Sequence, residues 1–107
     1  MNDLLEFVLK IEERPGLWIG NTDTGYLFQF LSGYCLAKSE GEDGFKGHFV
    51  SEYGKWLFDD FRIYLATKYK DSRTFNWAGL IINNEPDGNS TDAFFRLLHE
   101  YLADHTV

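Results

Sequence analysis

The run from Tyr26 to Leu36 constrains this chain more than any other stretch. Tyr26, Leu27, Phe28, Phe30, Leu31, Tyr34, Cys35 and Leu36 leave a helix apolar on almost every side. Such a helix belongs in the centre of a fold, because no face of it is suited to water. Thr22 or Asp23 can cap its start, and the pattern carries it to about Lys38. Ser32-Gly33 supplies a small-residue spot where a neighbour can approach closely. Cys35 falls inside the run and reads as an inert core thiol. As the single cysteine it also excludes an internal disulfide and any CxxC pattern.

Helical spacing organises the rest of the sequence. Over residues 3–14, Leu4, Leu5, Val8 and Ile11 recur on one side while Glu6, Lys10, Glu13 and Arg14 take the other. Pro15-Gly16 stops that helix, and Leu17 to Gly20 reads as a short extended connector. Ser39 to Gly47 is a loop by composition. A third helix is expected over 49–66, with Val50, Tyr53, Leu57, Phe61, Tyr64 and Leu65 on its core face. Glu52, Lys55, Asp59 and Arg62 form its solvated, alternately charged stripe. Gly54 within that helix costs about 1 kcal/mol relative to alanine, which close packing against another helix would offset.

Ser72 or Thr74 can cap a fourth helix through Phe75, Trp77 and Leu80-Ile81-Ile82, ended by Pro86. The Leu80-Ile81-Ile82 run would also suit a buried strand. Asp87-Gly88-Asn89 reads as a turn, and Ser90 as the cap of a last helix to about Asp104 with Phe94, Leu97, Leu98, Tyr101 and Leu102 inside. A chain of 107 residues with 18% aromatics supports one packed core. The expectation is therefore an all-α single domain over 1–107, a compact array of about five short helices, with α+β and a short strand near 79–83 as the alternative.

Charge narrows the classes of function. Seventeen Asp and Glu against ten Lys and Arg give −7 and a pI near 4.8. That surface repels phosphate backbones and attracts basic partners, while also serving solubility. Residues 1–48 carry eight acids and four bases, residues 49–74 four and five, and residues 75–107 five and one. The acidity thus belongs to the two ends of the sequence. Met1-Asn2-Asp3-Leu4 lacks the basic start and apolar run of a signal peptide, and no apolar stretch approaches the ~20 residues that span a bilayer. Cytoplasmic residence and no membrane contact are the default expectation.

Catalytic constellations do not emerge. His48, His99 and His105 lack metal-ligand spacing, and His99 shares a solvent-facing stripe with Asp92, Arg96 and Ala103. Asp59 and Asp60 are adjacent and diverge by about 100° in a helix, so they cannot flank one substrate. There is no Gly-x-Ser-x-Gly elbow, and Gly41, Gly44 and Gly47 stand among acids, which disfavours phosphate. No catalytic, metal-binding or cofactor-binding residue is nominated, and a binding protein is favoured over an enzyme.

Arg14-Pro15-Gly16-Leu17-Trp18-Ile19-Gly20 resembles the opening of type II topoisomerase ATPase domains, but the acidic and Asn side chains those domains carry on the next helix are replaced here by the apolar run from Tyr26 to Leu36. A longer resemblance joins Arg14 to Gly20, Tyr53 to Phe61 with Trp56, Trp77, and Asp92 to Leu102 with Phe94-Phe95. In that order the pieces resemble immunity proteins of bacterial polymorphic toxin and contact-dependent inhibition systems. The resemblance implies a cytoplasmic inhibitor that binds its cognate toxin one to one, the toxin being a nuclease with a cationic cleft, without touching nucleic acid itself. The partner-binding candidates are Glu40, Glu42 and Asp43 in the glycine-containing loop, followed by Asp60, Asp87 and Asp92. The alternatives are a regulatory or scaffold subunit binding a housekeeping protein, and a small nucleotide-binding enzyme.

Overall fold

A computed structural model describes residues 3–14, 24–39, 54–85 and 90–105. Helix α1 spans Asp3–Glu13 and buries Leu4, Val8 and Ile11 at helical spacing. Helix α2 spans Thr24–Ser39, with Leu27, Leu31 and Cys35 buried four residues apart. A π-helical turn, Trp56–Asp60, leads into α3, Phe61–Tyr69. Helix α4 spans Trp77–Asn84 and α5 Ser90–His105. The described residues contain helices and no strand, so the architecture is all-α. The radius of gyration is 13.5 Å, close to the ~13 Å of a compact chain this long.

The short helix α4 sits at the middle of this array. It packs against α2, α3 and α5, and Trp77 at its start is completely buried. Phe28, Phe58, Phe61 and Phe94 surround Trp77, with ring centroids 5.3, 6.2, 6.5 and 4.8 Å away. Aromatic pairs at such tilted geometries add roughly 0.5–1.5 kcal/mol each beyond their buried area. The run at 79–83 is helical: Leu80 N–H donates to the Asn76 carbonyl at 3.0 Å and Glu85 N–H to that of Ile81 at 2.8 Å. Leu80 and Ile81 are buried while Ile82 is 44% exposed. Three consecutive apolar residues cannot share one helical face, so one of them meets solvent.

Asn76, rather than Ser72 or Thr74, caps α4. Its Oδ1 accepts from the Gly79 N–H at 2.8 Å. Phe75 stays outside the helix because Arg62 Nε donates to its carbonyl at 2.7 Å and Arg62 Nη2 to that of Arg73 at 3.3 Å. Gly79 permits this fold-back: a Cβ there would lie 3.0 Å from Phe75 Cβ.

Ser90 also departs from its expected part. It lies inside α5, and its Oγ accepts the buried N–H of Thr24, the first residue of α2, at 2.8 Å. The start of one helix is thereby completed by the start of another. Residues 22 and 23, expected to cap α2, lie outside the described residues.

Helix α2 is less central than its composition suggests. Leu27, Leu31 and Cys35 face inward, but Tyr26 is 54% exposed and Gln29, Gly33 and Ala37 continue its exposed edge. Among the described residues, no atom of another element lies within 4 Å of a Cβ built on Gly33, so that glycine marks no close approach there. Gly54 does: a Cβ there would stand 3.4 Å from Cys35 Sγ on α2 and 3.2 Å from Phe58 Cδ2. Phe7 of α1 stacks on Tyr34 of α2 at 4.3 Å, which sets α1 against the other flank of α2.

Candidate functional site

The π turn and α3 present the described face with most scope for recognition. Phe61 N–H reaches back five residues to the Trp56 carbonyl, widening the helix so that Trp56, Leu57, Phe61 and Leu65 are all buried. On the opposite side, Asp60, Ile63, Tyr64, Thr67 and Lys68 line an open depression of about 380 Å³. Ile63 is 52% exposed. Tyr64 packs edge-on against Tyr101 of α5 at 5.4 Å and donates its hydroxyl to Asp104 Oδ2 at 3.1 Å. Lys68 pairs with Glu100 at 3.1 Å. Asp104 and Glu100 of α5 thus hold two of the residues that line the depression, Tyr64 and Lys68.

Of the two candidates among the described residues, Asp60 lines this depression and Asp92 does not. Burial first, then the neighbouring Asp60 carboxylate, raises the Tyr101 phenol above its ordinary value. Asp92 is exposed in the first turn of α5, where negative charge suits the helix dipole. It stands nine residues, about 14 Å of helical rise, from Tyr101, so Asp60 and Asp92 do not form one cluster. Glu40, Glu42, Asp43 and Asp87 lie outside the described residues. Ile63 escaped the sequence reading although its signal was present: it falls off the Leu57, Phe61, Leu65 stripe and is apolar on the solvent side. Tyr64 was assigned to the core face and is half-buried, with its hydroxyl at the surface.

The other polar clusters join helices. Glu85 accepts from Tyr69 Oη and Arg96 Nη2, both at 2.7 Å, and Arg96 lies 3.8 Å from Glu100. Burial and the Glu85 hydrogen bond push the Tyr69 phenol upward. Asp71 takes a bidentate contact from Arg73 at 2.9 and 2.7 Å and the Asn84 amide at 2.9 Å. Those bonds, Arg73 first, hold its carboxyl well below the usual carboxylate range. His99 is exposed as its stripe implied, yet Nε2 meets Glu12 of α1 at 2.8 Å and so links α5 to α1.

Burial pushes the Cys35 thiol up to about 12, which suppresses the thiolate a nucleophile requires. Among the described residues no group of three or more His, Cys, Asp or Glu converges to hold a metal ion. No helix of the described residues is long and apolar enough to cross a membrane. No family model, curated protein or solved structure matches this chain.

Proposed function

We propose that this protein is an immunity protein, a small helical inhibitor that binds the catalytic domain of a cognate bacterial toxin one to one and occludes its active site. The observation that carries the reading is the distribution of charge. The described residues hold eleven acids and nine bases, a balance of −2. Several of these neutralise one another, as in Asp71–Arg73, Glu85–Arg96 and Glu100–Lys68. Residues 15–23, 40–53 and 86–89, which lie outside the described residues, hold Asp23, Glu40, Glu42, Asp43, Glu52 and Asp87 against Lys46, a balance of −5.

Charge needed only for solubility can be spread over helix surfaces. Its concentration in these three stretches of sequence favours an electrostatic task. A nuclease cleft built to receive phosphates is cationic, and acids entering it both occupy it and accelerate encounter, by roughly 10- to 10³-fold. The resemblance carried by Arg14 to Gly20, Trp56, Trp77 and Phe94-Phe95 supports the same class of protein.

Co-expression with the toxin domain encoded immediately upstream tests the proposal. Rescue of growth and a stoichiometric complex are expected. Reversing Glu40, Glu42 and Asp43 together is expected to slow association at least tenfold at low salt with an unchanged melting temperature. Failure to rescue, together with no complex at micromolar concentration, would remove the proposal.

A further inference from the structure

We infer that the place where the first turns of α2 and α5 meet binds a small oxyanion, a phosphate or carboxylate group, at a site that does not depend on the functional reading above. The two helices, each of sixteen residues, are joined at their first residues by the bond from Thr24 N–H to Ser90 Oγ at 2.8 Å. Both ends are amino-terminal, so their macrodipoles bring two partial positive charges to one spot. Such ends alone select nothing. The second observation is chemical: Thr24 and Thr91 are 0% and 3% exposed, and neither Oγ1 finds a hydrogen-bond partner among the described residues. Buried polar side chains are nearly always bonded, so two orphaned hydroxyls at a single junction mark a place built for something polar. Helical Cα–Cβ bonds tilt toward the amino terminus, and the first two positions of a helix therefore lean their side chains toward this junction. Its inner side is the Trp77 ring, since Phe28 and Phe94, about one turn in from Thr24 and Thr91, pack on it at 5.3 and 4.8 Å. Trp77 Nε1 is buried and unpartnered among the described residues as well, and an indole nitrogen only donates. Hydroxyls can donate too, and helix amino termini repel cations. The junction therefore selects an acceptor that carries negative charge. Acid is scarce there: the first turn of α2 has none, and Asp92 in that of α5 is exposed beside the buried Thr91. First turns open locally at low cost, which admits the ion to hydroxyls closed to bulk water. The net charge of −7 opposes approach from solution, which keeps the affinity modest, in the millimolar range.

The test uses the full chain, with inorganic phosphate and acetate as probes and sodium chloride at matched ionic strength as the reference. A dissociation constant of about 5 mM predicts a melting temperature roughly 5 °C higher at about 50 mM anion. A rise with phosphate alone assigns the site to phosphate groups, and an equal rise with acetate assigns it to carboxylates as well. The amide signals of Thr24 and Thr91 in proton–nitrogen spectra are expected to shift saturably with the same constant. Thr24→Val and Thr91→Val each replace an unpartnered hydroxyl by a methyl of the same shape. Both are expected to melt no lower than the wild type in chloride and to lose at least half of the anion response, whereas Thr24→Ser is expected to keep it. Phosphate also stabilises proteins generally by exclusion from their surfaces, so an equal rise in the wild type and both valine variants would overturn the inference. So would valine variants that melt lower in chloride while the wild-type amide signals ignore both anions, because the hydroxyls would then be engaged within the protein. Should a valine variant fail to fold, the wild-type titration decides: saturable shifts at Thr24 and Thr91 uphold the site, and their absence removes it.

Discussion

Gly33 and Gly54 look alike in sequence, each set among aromatic residues in a helical pattern, but their surroundings predict opposite responses to alanine. Gly33 is exposed within α2, and an added Cβ meets nothing from other elements of the described residues within 4 Å. Removing the backbone freedom of a mid-helix glycine stabilises by about 0.8–1 kcal/mol. With unfolding entropy of about 2.1 cal/mol/K per residue, a chain this long gains about 4 °C per kcal/mol. Gly33→Ala is therefore expected to melt roughly 4 °C higher. At Gly54 the new methyl would stand 3.2 Å from Phe58 Cδ2 and 3.4 Å from Cys35 Sγ. Phe58 cannot retreat freely, being packed against Phe28 at 5.6 Å and Trp77 at 6.2 Å. Overpacking costs about 1–3 kcal/mol, which exceeds the helix-propensity gain, so Gly54→Ala is expected to lose about 1 kcal/mol. Calorimetry of both variants with the wild type provides the assay. Melting shifts of the same sign and size would refute the close approach of Gly54 to α2.

Ser90→Ala leaves the Thr24 N–H buried without its acceptor and is expected to cost about 1–3 kcal/mol in urea unfolding; a loss below 0.5 kcal/mol would contradict the bond. Lys70 ends α3 at φ 53°, with the Lys70 and Asp71 amides bonded to Thr67 and Ala66 in a Schellman arrangement. Lys70→Gly relieves that strain and is expected to raise stability by about 1 kcal/mol in the same assay. Asp71 has a depressed carboxyl pKa in the folded chain, so its stabilising effect is present above its unfolded value and fades as pH falls below about 4. The urea midpoints of wild type and Asp71→Asn are accordingly expected to differ at pH 6 and to converge toward pH 2.5; a constant gap would contradict the assignment.

Helix periodicity made much of the fold legible. The Leu4, Val8, Ile11 spacing located α1 to within a residue of its end, and Phe94, Leu97, Leu98 and Tyr101 did the same for α5. The helix placed at 49–66 was harder, because it contains a π turn and runs on to Tyr69. The five-residue closure from Trp56 to Phe61 follows from burying both rings on one side, a tertiary demand that a 3.6-residue pattern does not express. Composition misjudged α2: Leu27, Leu31 and Cys35 face inward, while Tyr26 on the edge shared with Gln29, Gly33 and Ala37 remains outside. The Ser90 side chain answers a donor 66 residues away, which no local capping rule can detect. The Ile63 depression was hidden for a related reason, since Asp104 and Glu100 reach its lining residues Tyr64 and Lys68 only once α3 and α5 are packed together.

The bond between Thr24 N–H and Ser90 Oγ carries a lesson about assembly. A helix that begins near the amino terminus awaits its last polar partner from the opposite end of the polypeptide. During synthesis, α2 emerges long before the serine that finishes it, so a nascent chain halted before Ser90 lacks that acceptor. Removing residues 90–107 would therefore take this acceptor from the start of the second helix as well as delete the fifth.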